Sequence, residues 1–227
     1  VRKKRFSLAQ LLLAIALTAA AVLGCGLLAV RAWMGEGGRS LVEGLRLVNT
    51  LFVGEYDETE VVDAALEGMV SRLGDRWSYY LTAEELEAQR KAVFPYMPKF
   101  SIVIPVYKTP EKYLKEMLDS ILAQTYGNWE LCIADGSPAG ESVERILKAY
   151  ARKDSRIRYK ILGENLGISG NTNAALEMAE GDYIVLADHD DIVTENALYE
   201  CAKAVNENPG ADVLYSDEDK LDMDGGA

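Results

Sequence analysis

Three short polar segments of this sequence follow apolar runs, and their side chains are the ones that could do chemistry. Asp188-His189-Asp190-Asp191 follows the run DYIVLA, Asp135-Gly136-Ser137-Pro138 follows WELCIA, and Pro105-Val106-Tyr107 closes the run FSIVIPVY. Two carboxylates at positions i and i+2 of an extended segment leave the backbone on the same side. Asp188 and Asp190 can therefore share one hard divalent cation, and their oxygens suit Mg²⁺ or Mn²⁺, which keep positions open for substrate phosphates.

The same acidic run has a simpler interpretation as a solvated turn after a strand, where Asp is common. The apolar strand before it, opened by Gly181-Asp182, favours the cation site instead. The sequence also has no lysine-bearing phosphate loop, so that an acidic protein of this kind needs a metal to hold a diphosphate.

The composition excludes several other kinds of site. The 227 residues include 24 Lys and Arg against 36 Asp and Glu, a net charge of −12, and nucleic-acid binding is not expected because it needs clustered Lys and Arg. His189 is the only histidine, so a multi-histidine zinc site is impossible and a Ser-His-Asp triad would have to use that residue. Cys25, Cys132 and Cys201 are far apart, which predicts neither a zinc knuckle nor a disulfide framework.

From about Pro98 onward, apolar β-branched runs alternate with amphipathic ones. The predicted strands cover residues 100–106, 129–135, 157–162, 182–188 and 212–215, and the predicted helices cover residues 111–124, 141–152, 170–179 and 194–206. This order indicates an α/β fold with a mostly parallel sheet and flanking helices. Such sheets bind ligands at the carboxyl ends of the strands, near a switch in strand order, and the polar segments above are expected there.

Four motifs in this region occur in the order found in family 2 glycosyltransferases of the GT-A fold, and residues 87–227 resemble the N-terminal half of that family. They are SIVIPVY at 101–107, IADGS at 133–137, NLGISGNTN at 165–173 and GDYIVLADHDD at 181–191. The tail YSDEDK at 215–220 is similar to members that build surface polysaccharide. The resemblance implies the Rossmann-like fold of the nucleotide-diphospho-sugar transferases and inverting transfer of a sugar to an acceptor hydroxyl.

The resemblance also implies which residues bind the nucleotide-diphosphate sugar donor. Pro105 and Tyr107 would line the nucleotide base, and Asp135 would form a hydrogen bond with it. Asn165 and Asn173 would shape the loop and helix start near the donor, since helix N-termini favour phosphate.

The metal site and the acceptor side follow from the same resemblance. Asp188 and Asp190 would hold Mg²⁺ or Mn²⁺ under the diphosphate, Asp188 also counting among the donor-binding residues. The general base is expected beyond residue 227, while Asp217, Glu218 and Asp219 are interpreted as donor-side or loop residues. The acceptor would be a glycan or a lipid-linked molecule, and we expect this chain to hold the donor half-site and to be weak or inactive alone.

Two positions depart from the pattern of that family. A single acid, Asp135, stands where many members have two in a row, and Thr172 stands where many have Arg. Thr172 lacks the positive charge of that arginine, so the phosphate contact expected there is in question.

The N-terminal residues predict a single-pass membrane anchor. Residues 2–5 are all basic, residues 6–30 carry no charge, and Arg31 ends the run. A charge-free run of this length can span a bilayer, and the basic flank at 1–5 is expected in the cytoplasm. The alternative is a cleaved signal peptide, although the apolar region is long for one.

Residues 31–86 have apolar positions at helical spacing and predict a small helical region, with Thr82 and Glu85 forming a capping box. The run AALEGMVSRLGDRWSYYLT at 64–82 resembles the N-terminal region of carboxyl-terminal processing peptidases (family S41), a resemblance that covers residues 1–86. No catalytic residue of a peptidase can be transferred to this chain. Residues 87–98 are predicted as a linker before a glycosyltransferase domain at 99–227.

The two resemblances predict opposite sides of the membrane for the part of the chain after Arg31. The anchor sends everything after Arg31 outward, whereas nucleotide sugars are cytosolic. A chimeric gene product joined near residues 84–89 would explain the conflict. Two other functions stay open: a phosphotransferase with Asp188 as nucleophile and Asp190 as acid and base, and a non-catalytic membrane-anchored module.

Overall fold

The computed structural model describes residues 8–74, 78–138 and 142–216. They fall into two compact units that divide between Tyr80 and Leu81. The predicted loop residues Asp217, Glu218 and Asp219 lie outside the described residues.

The first unit is helical, as the periodicity predicts. Its helices are α1 (Leu8–Leu51) and α2 (Glu58–Ser71), and α1 is kinked at Gly35, whose φ is 63°. Asp57 caps α2 because its carboxylate accepts a hydrogen bond from the Thr59 N–H at 2.7 Å.

The transmembrane helix predicted over residues 6–30 is not found. Within the described residues, no helix is apolar enough over a sufficient length to cross a membrane. Instead of ending near Arg31, α1 continues to Leu51 through a stretch that contains several charged residues.

The second unit begins with α3 (Ala83–Lys91), which extends into the segment predicted as a linker. The capping box is confirmed: the Glu85 N–H donates to Thr82 Oγ1 at 3.1 Å, and the Thr82 N–H donates to Glu85 Oε2 at 2.8 Å. Thr125 Oγ1 donates to Gln89 Oε1 at 2.9 Å, which connects α3 to the same unit as the sheet.

The predicted alternation of strands and helices is confirmed through residue 207. The strands are β1 (Phe100–Val106), β2 (Trp129–Asp135), β3 (Ile157–Ile161) and β4 (Tyr183–Leu186). The helices between and after them are α4 (Glu111–Leu122), α5 (Ser142–Lys153), α6 (Gly167–Leu176) and α7 (Ala197–Glu207). β1 and β2 have the predicted ends, whereas α6 begins three residues earlier than residue 170 and β4 is shorter than predicted.

All four strands are parallel, in the order β3-β2-β1-β4. The chain therefore steps from β1 outward to β3 and then crosses to the opposite side of β1. This reversal puts the switch in strand order between β1 and β4, the position at which open parallel sheets bind ligands.

The sheet is covered by helices on both faces. One face packs against α4, α5 and α7 through a large apolar cluster that includes Ile102, Ile104 and Leu131. The other face packs against α6 through a smaller cluster that includes Val103, Cys132 and Ala175. Because both faces are covered, β1 and β2 are buried along their whole length, as in other parallel sheets.

The prediction of a fifth strand over residues 212–215 is wrong. Residues 211–216 form no strand, and Val213 and Tyr215 are exposed. The apolar residues Val213, Leu214 and Tyr215 are compatible with a strand, but a strand also needs a neighbour to satisfy its backbone, and no described segment pairs with this one.

Candidate functional site

The three polar segments singled out in the sequence lie at one edge of the sheet. Val106 at the end of β1 pairs with Asp135 at the end of β2, and Asp135 pairs with Ile161 at the end of β3. β4 runs parallel to β1 and ends at Leu186, two residues before Asp188. The carboxyl ends of all four strands therefore face the same side, and we call this the carboxyl edge.

Asp135 is buried at the centre of the carboxyl edge and is held by a local turn. Its Oδ1 accepts a hydrogen bond from the Ser137 N–H at 2.8 Å. Ser137 Oγ in turn accepts from the Lys108 N–H at 2.8 Å, which ties the loop after β1 to the loop after β2. The carboxylate is thus fixed in orientation.

The loop between β3 and α6 is packed against the same place. Asn171 is buried on α6, where its side-chain amide donates to Asn165 Oδ1 at 3.1 Å and its Oδ1 accepts from the Leu166 N–H at 3.1 Å. A Cβ added to Gly136 would lie 2.8 Å from Asn171 Nδ2 and 3.1 Å from Asn165 Cα. Asn165 therefore lies directly beside the end of β2, as expected for a donor-site loop.

The acidic run after β4 forms an exposed turn. The Asp188 N–H donates to Asp191 Oδ2 at 3.1 Å, so Asp191 stabilises the turn. The side chain of Asp190 is about half exposed, and its Oδ1 lies 3.5 Å from a buried His189 Nδ1 that forms no hydrogen bond with a described residue.

The carboxylates of this turn supply only some of the ligands that a cation needs. Within the residues that the structure describes, no group of three or more His, Cys, Asp or Glu side chains is arranged to hold a metal ion. Mg²⁺ and Mn²⁺, however, are often held by one or two carboxylates, with water and substrate phosphates completing the shell. Asp188 and Asp190 are two exposed carboxylates of one turn, which is the kind of ligand set such a site uses, and a cation bound by them stays a prediction.

The other residues predicted for the site form fewer contacts with the loops of the carboxyl edge. Pro105 is buried within β1, and Tyr107 follows the strand with 40% of its surface exposed, so its ring is accessible. Asn173 is exposed on α6, and no side-chain contact in the described part of the chain connects it to the other predicted residues. The hydroxyl of Thr172 donates to the Ile168 carbonyl at 2.7 Å, within the same helix.

Three further residues belong to this edge that were not among the predicted site residues. Ser137 and Asn171 hold the loops together, and Lys108 adopts a left-handed backbone with φ 53°. The Asp-Gly-Ser sequence is typical of a turn closed by the Asp side chain, so that the role of Ser137 had a local signal. The contact of Asn171 with Asn165 depends on how α6 packs and had none.

Comparison with known proteins agrees with this geometry. The sequence profile of the family described as "Glycosyl transferase family 2" matches residues 101–220, just over half of the chain. The chain belongs to glycosyl transferase family 2. The match includes every predicted site residue, and it leaves the peptidase resemblance of residues 1–86 as a prediction.

Two curated relatives and one solved structure illustrate the similarity of this glycosyltransferase domain. An uncharacterized protein of Sinorhizobium fredii is 41% identical over 129 residues, which cover 57% of this chain and 14% of that protein. An uncharacterized glycosyltransferase of Methanocaldococcus jannaschii is 37% identical over 119 residues, 52% of this chain and 41% of that protein. The crystal structure of S. aureus TarS 1-349 in complex with UDP-GlcNAc superposes with a TM-score of 0.45 at 28% identity, covering 49% of this chain and 32% of that one. The chain thus spans less than half the length of these proteins.

Proposed function

We propose that the carboxyl edge of the sheet binds a nucleotide-diphosphate sugar and that the domain serves sugar transfer to an acceptor hydroxyl. The observation that carries the proposal is the position of the polar residues at the switch in strand order. Asp135 lies at the end of β2, Tyr107 follows β1, and Asp188 follows β4 on the other side of β1. A ligand bound at this edge would meet a carboxylate that can accept from a base N–H, an aromatic ring and an acidic turn.

Each group has a distinct role in this proposal. The ring of Tyr107 is accessible and supplies a flat face for the base. Asp135 accepts a hydrogen bond from a base N–H, for which its buried, fixed carboxylate is suited. Asn165 forms the wall beside Gly136, where α6 closes the site next to the end of β2.

Asp188 and Asp190 would hold Mg²⁺ or Mn²⁺, whose charge would stabilise the diphosphate as it leaves. The protein itself is acidic, so a phosphate group approaching this turn without a cation would be repelled. The Asp191 side chain supports the turn backbone at Asp188 and leaves that carboxylate available for the metal.

We further propose that the acceptor is a glycan or lipid-linked molecule and that a carboxylate general base removes the proton of its hydroxyl. None of the residues placed at the carboxyl edge is assigned this role. Asp135 is assigned to the nucleotide base, and Asp188 and Asp190 are assigned to the cation.

The proposal is tested by thermal denaturation of the whole chain with UDP, GDP and dTDP, each with and without Mn²⁺. We expect at least one nucleotide to raise the melting temperature, and to do so more strongly with Mn²⁺. The absence of any response would favour a non-catalytic module. A response to inorganic phosphate or fluoroaluminate but not to nucleotides would favour a phosphotransferase.

A further inference from the structure

Lys108 has an unusual backbone in the loop that follows β1. Its φ of 53° lies in the left-handed region, where no other non-glycine residue of the described chain is found. Its N–H donates to Ser137 Oγ, and Ser137 is bound to Asp135, so the strained residue is fixed to the end of β2. Backbone strain of this kind persists only where surrounding contacts hold it, and it is concentrated at functional sites.

The lysine side chain does not help the backbone to adopt this conformation. Gly, Asn and Asp tolerate a positive φ far better than a long side chain does. The backbone conformation therefore does not account for a lysine at this position.

Lys108 is the only Lys or Arg in the described loops of the carboxyl edge. The four loops that follow the strands, at 107–110, 136–138, 162–166 and 187–191, contain acids but no other Lys or Arg. In the part of the chain that the structure describes, Lys108 Nζ forms no ion pair, and it lies 5.3 Å from the centroid of the Tyr107 ring. A cation that is exposed, held beside the proposed base-binding ring and without a carboxylate partner is suited to receive an anion.

Thr109, the residue after Lys108, also indicates a ligand at this loop. Thr109 is only 3% exposed, and its Oγ1 has no hydrogen-bond partner among the described residues. A buried hydroxyl without a partner is destabilising, so that a polar ligand or an ordered water is expected beside it.

We propose that Lys108 is a donor-binding residue whose ammonium group pairs with the diphosphate of the nucleotide sugar. This inference rests on the proposed function and assigns to that site a second positive charge besides the metal. It also supplies, from another loop, a cationic phosphate contact of the kind that Thr172 cannot make.

The experiment compares Lys108→Gln with wild type by calorimetric titration of UDP, GDP and dTDP in the presence of Mn²⁺, and of the corresponding nucleosides. For the nucleotides that bind, we expect about tenfold weaker binding to the variant and a weaker salt dependence, because a charge-assisted contact is lost. Nucleoside affinity should not change. Lys108→Arg should recover most of the affinity.

Two further variants separate charge from fold. Lys108→Asn relieves the backbone strain, so its melting temperature should equal or exceed that of wild type while its nucleotide affinity falls as in Lys108→Gln. Lys112→Gln is the matched control, because Lys112 Nζ lies 5.6 Å from the ring of Tyr113 in the same kind of contact but on α4. Its nucleotide affinity should equal that of wild type.

The outcomes distinguish this inference from the function on which it rests. If wild type binds a nucleotide and Lys108→Gln binds it equally well, the inference is wrong and the proposed function stands. A parallel loss of nucleoside affinity would likewise overturn it, because Lys108 would then act on the base or on the fold. If wild type binds none of the nucleotides, both fail.

Discussion

Glu130 is a buried carboxylate at the amino end of β2, on the side of the sheet opposite the candidate site. Lys99 Nζ donates to it at 2.8 Å, Arg158 Nη1 at 3.2 Å and Ser101 Oγ at 2.7 Å. Burial opposes its ionisation, but the hydrogen bonds from Lys99, Ser101 and the Glu180 N–H, with the charge of Lys99, outweigh burial and lower the pKa of Glu130 to about 2. The ionised carboxylate thus connects three strands where the sheet begins.

We predict that Glu130→Gln lowers the free energy of unfolding at pH 7 by about 2–4 kcal/mol, because two cations lose their buried partner. The native pKa of Glu130 lies below that of the unfolded chain. Its stabilising effect is therefore complete above the unfolded pKa and decreases as the pH falls toward about 2. Urea denaturation between pH 7 and pH 3 should show a steeper acid loss for wild type than for the variant.

The control for this change is Glu177→Gln. Glu177 pairs with Lys160 at 3.1 Å on the surface, and both side chains are about half exposed or more. Its replacement should change stability by no more than about 0.5 kcal/mol. Equal acid sensitivity of wild type and Glu130→Gln would contradict the role given to Glu130.

At the scale of elements, the seam between β2 and α6 sets the shape of the candidate site. Gly136 follows β2, and its N–H donates to the Val106 carbonyl at 2.9 Å. Asn165 and Asn171 lie so close that a methyl group on Gly136 would contact both. The loop after β3 can approach the end of β2 only because this residue has no side chain.

We predict that Gly136→Ala destabilises the protein by about 1–3 kcal/mol, since the extra methyl group displaces the two asparagines. It should also weaken nucleotide binding, because Asn165 forms the wall beside Asp135. Gly127→Ala is the matched control, since a Cβ there would meet nothing within 4 Å. Equal melting temperatures and nucleotide affinities of the two variants would show that the seam does not depend on the glycine.

The elements themselves could largely be predicted from the sequence. β1 and β2 are continuous apolar runs that end at a turn, and the Thr82–Glu85 capping box is a local pattern, so both kinds of signal lie within a few residues. The fifth strand failed because strand formation at 212–215 depends on a partner that short-range pattern does not reveal. The left-handed backbone of Lys108 was also missed, because the hydrogen bond that holds it is accepted by Ser137, in the loop after another strand.

The candidate site, like the elements, could be predicted from the sequence only in part. Asp135, Asp188 and Asp190 were identified because each lies at the end of a predicted strand or just after it, and a parallel sheet brings such residues to one edge. The structure confirms that placement, while their roles in binding stay predictions. The packing of Asn171 against Asn165 and the isolation of the Lys108 charge depend on contacts between distant segments and became visible only in the folded chain.

At the scale of the whole molecule, the strand order explains why one edge collects the polar residues. β1 lies between β2 and β4, and the connection from β3 to β4 crosses the sheet. The loops after β1 and β4 therefore lie next to each other at the switch in strand order, where open parallel sheets bind ligands. The helical unit before Leu81 contributes none of the residues assigned to the carboxyl edge.

The central claim is that Asp188 and Asp190 bind a cation that holds the diphosphate of an activated sugar. Its most direct test is calorimetric titration of Mn²⁺ and a binding nucleotide into wild type and the Asp188→Asn/Asp190→Asn double variant. We predict that the double variant binds the nucleotide at least tenfold more weakly and no longer responds to Mn²⁺, while its melting temperature without ligand stays near that of wild type. Unchanged nucleotide affinity in a folded double variant would contradict the claim.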